Sequence, residues 1–256
     1  MKKEIALQVD NLTIRGQLYL PENINREYPC VILCHGVPSG VVDPGDGGYP
    51  LLANTICNEG FAVLTFSFRG TGVSEGNFDI VGWTHDLQSI IEFLWNNQDT
   101  GGGPIALVGF SAGAAVSIYI GSRDKRITGV IACASPADFR SISEAPDPQA
   151  VIKYFRKIGI IRDPEFPPSI DAWLENFRKI SAIGCVADIS PRPLLLIHAR
   201  GDTVVPVNNA EKLYARAGEP KQLIILETDE HRLRRNPQAV SAIINWLKTN
   251  LVHKFN

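Results

Sequence analysis

Apolar and polar positions alternate over residues 4–20, which predicts two strands with Asp10-Asn11 as the tight turn between them. The pattern then changes. Cys30–Cys34, Phe61–Phe66, Pro104–Phe110, residues 127–134, residues 193–198 and Gln222–Leu226 are short and almost wholly apolar. Runs of this kind belong to strands covered on both faces, as in a parallel sheet. Between them the apolar spacing becomes helical. Leu87, Ile90, Ile91 and Leu94 share one stripe, and Val240, Ile243, Ile244, Leu247 and Leu251 share another. Ala112–Gly121 reads as a helix of small residues. Strands alternating with helices predict an α/β fold with a mostly parallel central sheet flanked by helices.

Three stretches interrupt the rhythm. A Gly- and Pro-rich loop is expected from His35 to about Pro50, and a polar loop over Arg69–Gly76. Residues 138–183 hold 5 of the chain's 17 prolines and two helical patches, near 149–158 and 169–180. Lying between two sheet strands, this stretch is expected to be an inserted helical cap on a core domain formed by residues 1–137 and 184–256.

Length and charge narrow the function classes. A chain of 256 residues suits one large α/β domain. Its net charge of −2 gives no electrostatic reason to expect a nucleic acid or an anionic membrane as partner. The five cysteines (Cys30, Cys34, Cys57, Cys133, Cys185) are odd in number and scattered, which favours free thiols in a reducing compartment. No signal peptide and no apolar run near 18 residues is present, so a cytoplasmic protein is expected. No metal or cofactor pattern emerges, and the oligomeric state is not legible.

The candidate chemistry begins at Gly109-Phe110-Ser111-Ala112-Gly113. This G-x-S-x-G pattern closes an apolar strand and opens a helix. A serine there sits on a tight strand-to-helix turn, flanked by glycines because Cβ atoms would clash where the chain reverses. With His35-Gly36-Val37, Arg69–Ser74 and Gly201-Asp202-Thr203-Val204-Val205-Pro206, the chain resembles the α/β-hydrolase superfamily over nearly its whole length. It looks closest to small-cap acyl esterases of the cinnamoyl and feruloyl esterase kind and to serine aminopeptidase relatives. The resemblance implies a triad in the order Ser111, Asp202, His231.

Residue chemistry supports each role. A serine hydroxyl needs a base, and histidine suits that task near neutral pH. Of five histidines, only His231 lies in a loop between the last strand and the last helix. His35 belongs to the loop after the first buried strand, His85 opens a helix, His198 lies in a strand and His253 in the tail. Asp202 follows an apolar strand and would orient the imidazole; Asp138 is the alternative acid. The Ala112 backbone N–H is one expected oxyanion donor, and the resemblance puts the second on Val37.

The leading expectation is a serine carboxylesterase acting on small to medium, apolar or aromatic esters through an acyl-serine intermediate. A peptidase, amidase or thioesterase with the same triad, or a ligand-binding receptor on a hydrolase scaffold, remains open. The cap aromatics Phe139, Tyr154, Phe155, Phe166, Trp173 and Phe177 are expected to pack the cap onto the sheet. Seven basic and seven acidic residues in 138–183 leave no charge preference. Gly70-Thr71-Gly72 lacks the rest of a phosphate-binding motif and reads as a structural loop. Asp43–Gly48 resembles a calcium loop only in composition. Asp86 is expected to cap or charge the start of its helix, and Arg232, Arg234 and Arg235 to form a solvated loop face.

Overall fold

The computed structural model describes residues 1–22, 28–40 and 46–252. Eight strands form one sheet: β1 (Lys2–Val9), β2 (Leu12–Tyr19), β3 (Cys30–Cys34), β4 (Ala62–Phe66), β5 (Ile105–Phe110), β6 (Ile127–Cys133), β7 (Leu194–Ala199) and β8 (Lys221–Leu226). Their spatial order is β1-β2-β4-β3-β5-β6-β7-β8. β1 and β2 pair antiparallel with each other, and β2 antiparallel with β4; every other pairing is parallel. Asp10 and Asn11, with φ of 49° and 64°, make the expected hairpin turn. Every residue of β3, β4, β5 and β7 is buried, which is why those stretches are continuously apolar.

The helices are α1 (Gly48–Cys57), α2 (Ile80–Trp95), α3 (Ala112–Gly121), α4 (Arg140–Ser143), α5 (Pro148–Lys157), α6 (Ile170–Lys179), α7 (Ala182–Cys185), α8 (Asn208–Arg216) and α9 (Pro237–Leu247). The sheet separates two apolar layers. One packs α2 and α3 on one face around Ile32, Leu64, Trp83 and Leu107; the other packs α1 and α9 on the opposite face around Val31, Val63, Ile56 and Ile243. α3 is buried on all sides except at Tyr119, and its small residues let the backbone lie close to β5 and β6.

Several expectations change. The loop after β3 ends earlier than expected: α1 starts at Gly48, with Pro50 in its first turn, where a missing N–H costs nothing. α2 begins at Ile80, five residues before His85, so neither His85 nor Asp86 starts it; Asp79 caps it through Val81 N. Asp86 is instead fully buried and receives Arg69 Nε at 3.0 Å, Arg69 Nη2 at 2.7 Å and Arg69 N at 2.8 Å. Its position explains this. Asp86 falls on the same helical stripe as Trp83 and Ile90, so the charge faces the core and must be paired there. Arg69 Nη2 also donates to Asp10 Oδ2 at 2.9 Å, and His85 Nδ1 lies 2.7 Å from the same oxygen.

Residues 138–183 are tied to the body at many points. Phe155, Trp173 and Phe177 all contact the Phe78 ring edge-on. Trp173 Nε1 donates to Phe78 O at 3.1 Å, and Phe78 N donates to Ile160 O at 2.8 Å. Arg162 donates from Nη1 to Ser74 O and from Nη2 to Gly72 O. Phe139, Phe155, Trp173 and Phe177 are buried in the same layer as α2 and α3. Phe166 is partly buried and Tyr154 is 50% exposed. The aromatics of this stretch thus mostly serve packing, as expected.

Candidate active site

The chain runs from β3 outward in both directions: β4 lies on one side and β5 on the other. At such a switch point the loops leaving the carboxyl ends of the two central strands diverge and open a crevice. The loop carrying Gly36 and Val37 leaves β3 there, and Ser111 leaves β5 there. Asp202 and His231 follow β7 and β8 at the same sheet edge, because those strands run parallel to β5.

Ser111 has φ 52° and ψ −126°, a conformation that a residue with a side chain adopts only when its surroundings enforce it. The enforcement is visible. A Cβ on Gly113 would lie 2.2 Å from His35 O and 2.5 Å from Cys34 O, and one on Gly109 would lie 2.5 Å from Ala114 Cα. Only glycine allows α3 to start so close to β3 and β5. Serine before a helix normally caps it through its hydroxyl. Ser111 does not: its hydroxyl makes no capping bond, while its N–H donates to Cys133 O at 2.9 Å. Ala112, one of the residues expected to meet the oxyanion, is the first residue of α3, where the backbone N–H has no intrahelical acceptor.

The other wall is the His35–Val37 loop. A Cβ on Gly36 would lie 2.7 Å from Ser111 Cβ and 3.3 Å from Ser111 Oγ, so this loop runs directly against the serine. Val37 follows it, partly buried against the core. His35 holds the loop in place. Phe68 N donates to His35 Nε2 at 3.0 Å, so Nε2 carries the lone pair and Nδ1–H donates to Gly36 O at 2.7 Å. Thr71 Oγ1 also lies 3.1 Å from Nε2. The ring packs among Phe68, Trp83 and Tyr49, and this burial pushes its pKa down to about 4 although part of the side chain reaches solvent. His35 is therefore neutral near pH 7. The Arg69–Gly76 loop supplies Thr71 and anchors Arg69, so it is a structural loop, as expected.

His231 Nδ1 donates to Asp202 Oδ2 at 2.6 Å. Asp202 Oδ1 accepts from Val204 N at 2.8 Å and Val205 N at 2.9 Å. Burial pushes the Asp202 carboxyl up, but the His231 bond and the two amides outweigh it and hold the group below the usual carboxylate range. Asp202 is thus a buried carboxylate with one oxygen fixed by backbone and the other facing an imidazole. No hydrogen bond joins Ser111 Oγ to His231 among the described residues. Asp138, the alternative acid, pairs instead with Arg140 at 3.0 Å.

Two residues of the basic cluster, Arg232 and Arg234, are not a solvated face, while Arg235 is exposed. Arg234 pairs with Asp46 and lies over the Tyr49 ring, and Arg232 Nη2 donates to Ser39 Oγ at 2.7 Å. These bonds tie the His231 loop to α1 and to the chain after Val37. No local pattern hints at that role, because the partners lie 188 and 193 positions away. Asp46 is committed to Arg234 and to Gly48 N, and residues 43–45 of the calcium-like stretch lie outside the described residues. Among the described residues no group of three or more His, Cys, Asp or Glu side chains could hold a metal, and no helix is long and apolar enough to cross a membrane. Each cysteine is a free thiol, and burial pushes that of Cys34 up to about 12, too high for a nucleophile.

The profile of the alpha/beta hydrolase family matches residues 31–243. The chain belongs to this family. The mostly parallel eight-stranded sheet with its flanking helices is accordingly the α/β-hydrolase fold. The uncharacterized protein YfhR of Escherichia coli O157:H7 is 31% identical over 182 residues, covering 70% of this chain and 56% of YfhR. The chain therefore spans only a little more than half of that relative. Lysophosphatidylserine lipase ABHD12 of Danio rerio is 28% identical over 204 residues, covering 79% of this chain and 50% of that protein. Among solved structures, esterase Pf2001 of Pyrococcus furiosus superposes with a TM-score of 0.73 at 23% identity, covering 98% of this chain and 91% of the other. The alpha/beta hydrolase GrgF of Penicillium sp. gives 0.74 at 20% identity, covering 98% and 99%. The chain thus shares its fold with an esterase.

Proposed function

We propose that the protein is a serine hydrolase of carboxylic esters, with Ser111 as nucleophile, His231 as base and Asp202 as the acid that orients the base. One observation carries the reading. A buried carboxylate meets His231 Nδ1 at 2.6 Å, at the same sheet edge as a strained serine whose hydroxyl is not spent on capping its helix. Serine–histidine pairs are often loose before substrate arrives and close in the complex.

Ser111 Oγ attacks the acyl carbon as its proton passes to His231 Nε2. Asp202 holds the Nδ1–H tautomer that leaves Nε2 free to accept and stabilises the imidazolium that forms. The backbone N–H groups of Ala112 and Val37 receive the oxyanion, each such donor typically contributing about 3–4 kcal/mol. Collapse breaks the bond to the alcohol oxygen, which takes the proton back from Nε2. Water, deprotonated by His231, then cleaves the acyl-serine; the acid leaves and the proton returns to Ser111.

Residues 138–183 serve as a cap that selects the acyl or alcohol group. Their seven positive and seven negative side chains favour no charge on the substrate. Exposed Val204, whose N–H binds Asp202, favours an apolar or aromatic ester of modest size. The names esterase and lipase borne by two relatives agree with ester chemistry. Free thiols throughout fit a cytoplasmic setting.

The test is labelling by a fluorophosphonate, followed by rates on matched 4-nitrophenyl esters, anilides and thioesters. The protein should label once, at Ser111, and prefer esters. Ser111→Ala should fold normally and lose both labelling and turnover. A wild-type protein that is folded yet neither labels nor hydrolyses any of these substrates would remove the proposal.

A further inference from the structure

Behind the Asp202 carboxylate lies a second imidazole that the steps above do not use. His198, on β7, has 0% exposure. Its Nε2 lies 2.7 Å from Val205 O and 3.6 Å from Asp202 Oδ2. A carbonyl oxygen only accepts, so the ring proton is on Nε2 and donates to Val205. Nδ1 is buried without a partner among the described residues. A second proton on Nδ1 would be a buried donor with nothing to receive it, which disfavours the imidazolium. Burial acts in the same direction and outweighs the Val205 bond and the Asp202 charge, holding the ring's pKa below its ordinary value.

Val205 belongs to the turn that grips the acid. Its N–H and that of Val204 hold Asp202 Oδ1 at 2.9 and 2.8 Å, while its carbonyl is held by His198. We propose that His198 is a positioning residue, whose neutral Nε2–H locks the Asp202–Val205 turn and so aims Asp202 Oδ2 at His231. The proposal rests on the triad read above. Neutrality matters to it: an imidazolium 3.6 Å from Oδ2 would compete for the charge that His231 needs when it takes the serine proton. The ionisable groups bearing on His198 are Asp202 and His231. Around them, Asp229 packs against Gly201, Glu230 accepts from Arg232 N, and Arg200 pairs with Glu227 at the surface.

The experiment compares His198→Phe, which keeps a ring but cannot donate, with His198→Gln, which carries an amide donor. Fluorophosphonate labelling counts the folded, competent sites in each. His198→Phe should lower kcat about tenfold to hundredfold per labelled site, with KM nearly unchanged. The acid limb of its kcat/KM profile should move to lower pH, because a loosened carboxylate stabilises the protonated base less. His198→Gln should recover most of both. A residue that merely fills space would lower the count of competent sites and leave the profile of those remaining in place; that result overturns the proposal, as does a Gln variant no better than Phe. Nitrogen NMR of the wild type reads the same idea without any variant. His198 should hold the neutral Nε2–H tautomer at pH 7, and a His198 that takes up its second proton in the ordinary histidine range refutes the lock. Failure of the wild type to label would instead strike the triad itself and leave the tautomer measurement standing.

Discussion

His231 Nδ1 and Asp202 Oδ2 are joined at 2.6 Å, while the other Asp202 oxygen is fixed by two amides of its own loop. The carboxylate is thus oriented from the backbone, and only one of its oxygens is left for the imidazole. Asp202→Asn exposes what that orientation does. The Asn oxygen would keep the two amides, which turns its NH2 group toward Nδ1. Two donors cannot face each other, so the ring would carry its proton on Nε2 and could not accept one from Ser111. An acid-to-amide change of this kind costs about 10⁴ in kcat in the well-studied serine proteases. The expected result here is a fall of about 10³ or more in kcat, with thermal stability little changed. A loss below tenfold would mean that Asp202 does not orient the base.

Gly36→Ala tests the other wall of the site. The added Cβ would meet Ser111 Cβ at 2.7 Å and Phe110 O at 3.0 Å, and neither is the free end of a flexible chain. The loop must move away from the serine and carry Val37 with it. Displacing a donor by a fraction of an ångström weakens oxyanion binding, so kcat should fall about 100-fold, with KM changing far less. Overpacking of this kind also costs about 1–3 kcal/mol, read as a lowered Tm. Steady-state rates normalised by active-site titration separate the two effects.

Acid should destabilise the fold before it hydrolyses anything. Burial holds His35 at about 4 against an ordinary 6.5, and His198 is lowered in the same direction. Between those values the unfolded chain binds protons that the folded chain refuses, so stability rises with pH there and is lost as pH falls. Asp202, held below the usual carboxylate range, adds to the loss at still lower pH as its folded form protonates. For His35 the gap corresponds to about 3 kcal/mol, at about 1.4 kcal/mol per pH unit. Urea unfolding at pH 7 and at pH 4.5 should show this drop. His35→Gln should flatten much of it, and an unchanged slope would contradict a neutral His35.

The sheet and the reactive turn were legible because both leave local marks. Strands buried on both faces must be apolar throughout, and the elbow demands glycines where Cβ atoms would strike β3. Asp202 and His231 were singled out as candidates from their places after two strands, from the Gly201–Pro206 stretch and from the family resemblance, not from any periodicity that encodes their contact. Neither α1 nor α8 was anticipated; the Gly-rich approach and Pro50 hid the Leu52, Ala53 and Ile56 stripe of α1. Arg234 and Asp46 lie far apart in the chain, and no periodicity encodes such a pair. Asp86 is different. Its place among Trp83, Leu87 and Ile90 already marked it as an inward charge, and reading it as a helix-start residue overlooked that stripe.

That inward charge makes the sharpest stability prediction. Asp86 has a fully buried side chain and Arg69 is 8% exposed, so their pairing is screened by protein and not by water. Burial pushes the Asp86 carboxyl up, and the three bonds from Arg69 oppose it. Asp86→Asn would leave the guanidinium inside with only Asp10, whose side chain is 49% exposed, to balance it. Breaking a buried pair on one side costs about 3–5 kcal/mol, and the remaining carboxylate favours the lower end. For a domain of this size that is a Tm lower by about 10 °C. Arg69→Met combined with Asp86→Leu removes both charges and should be more stable than Asp86→Asn, because no charge is then left unpaired. His85→Ala, which breaks an exposed contact to Asp10, should cost less than about 1 kcal/mol. A double variant less stable than Asp86→Asn would show that the pair contributes more than the desolvation it suffers, and that the cluster is a net stabiliser of the fold.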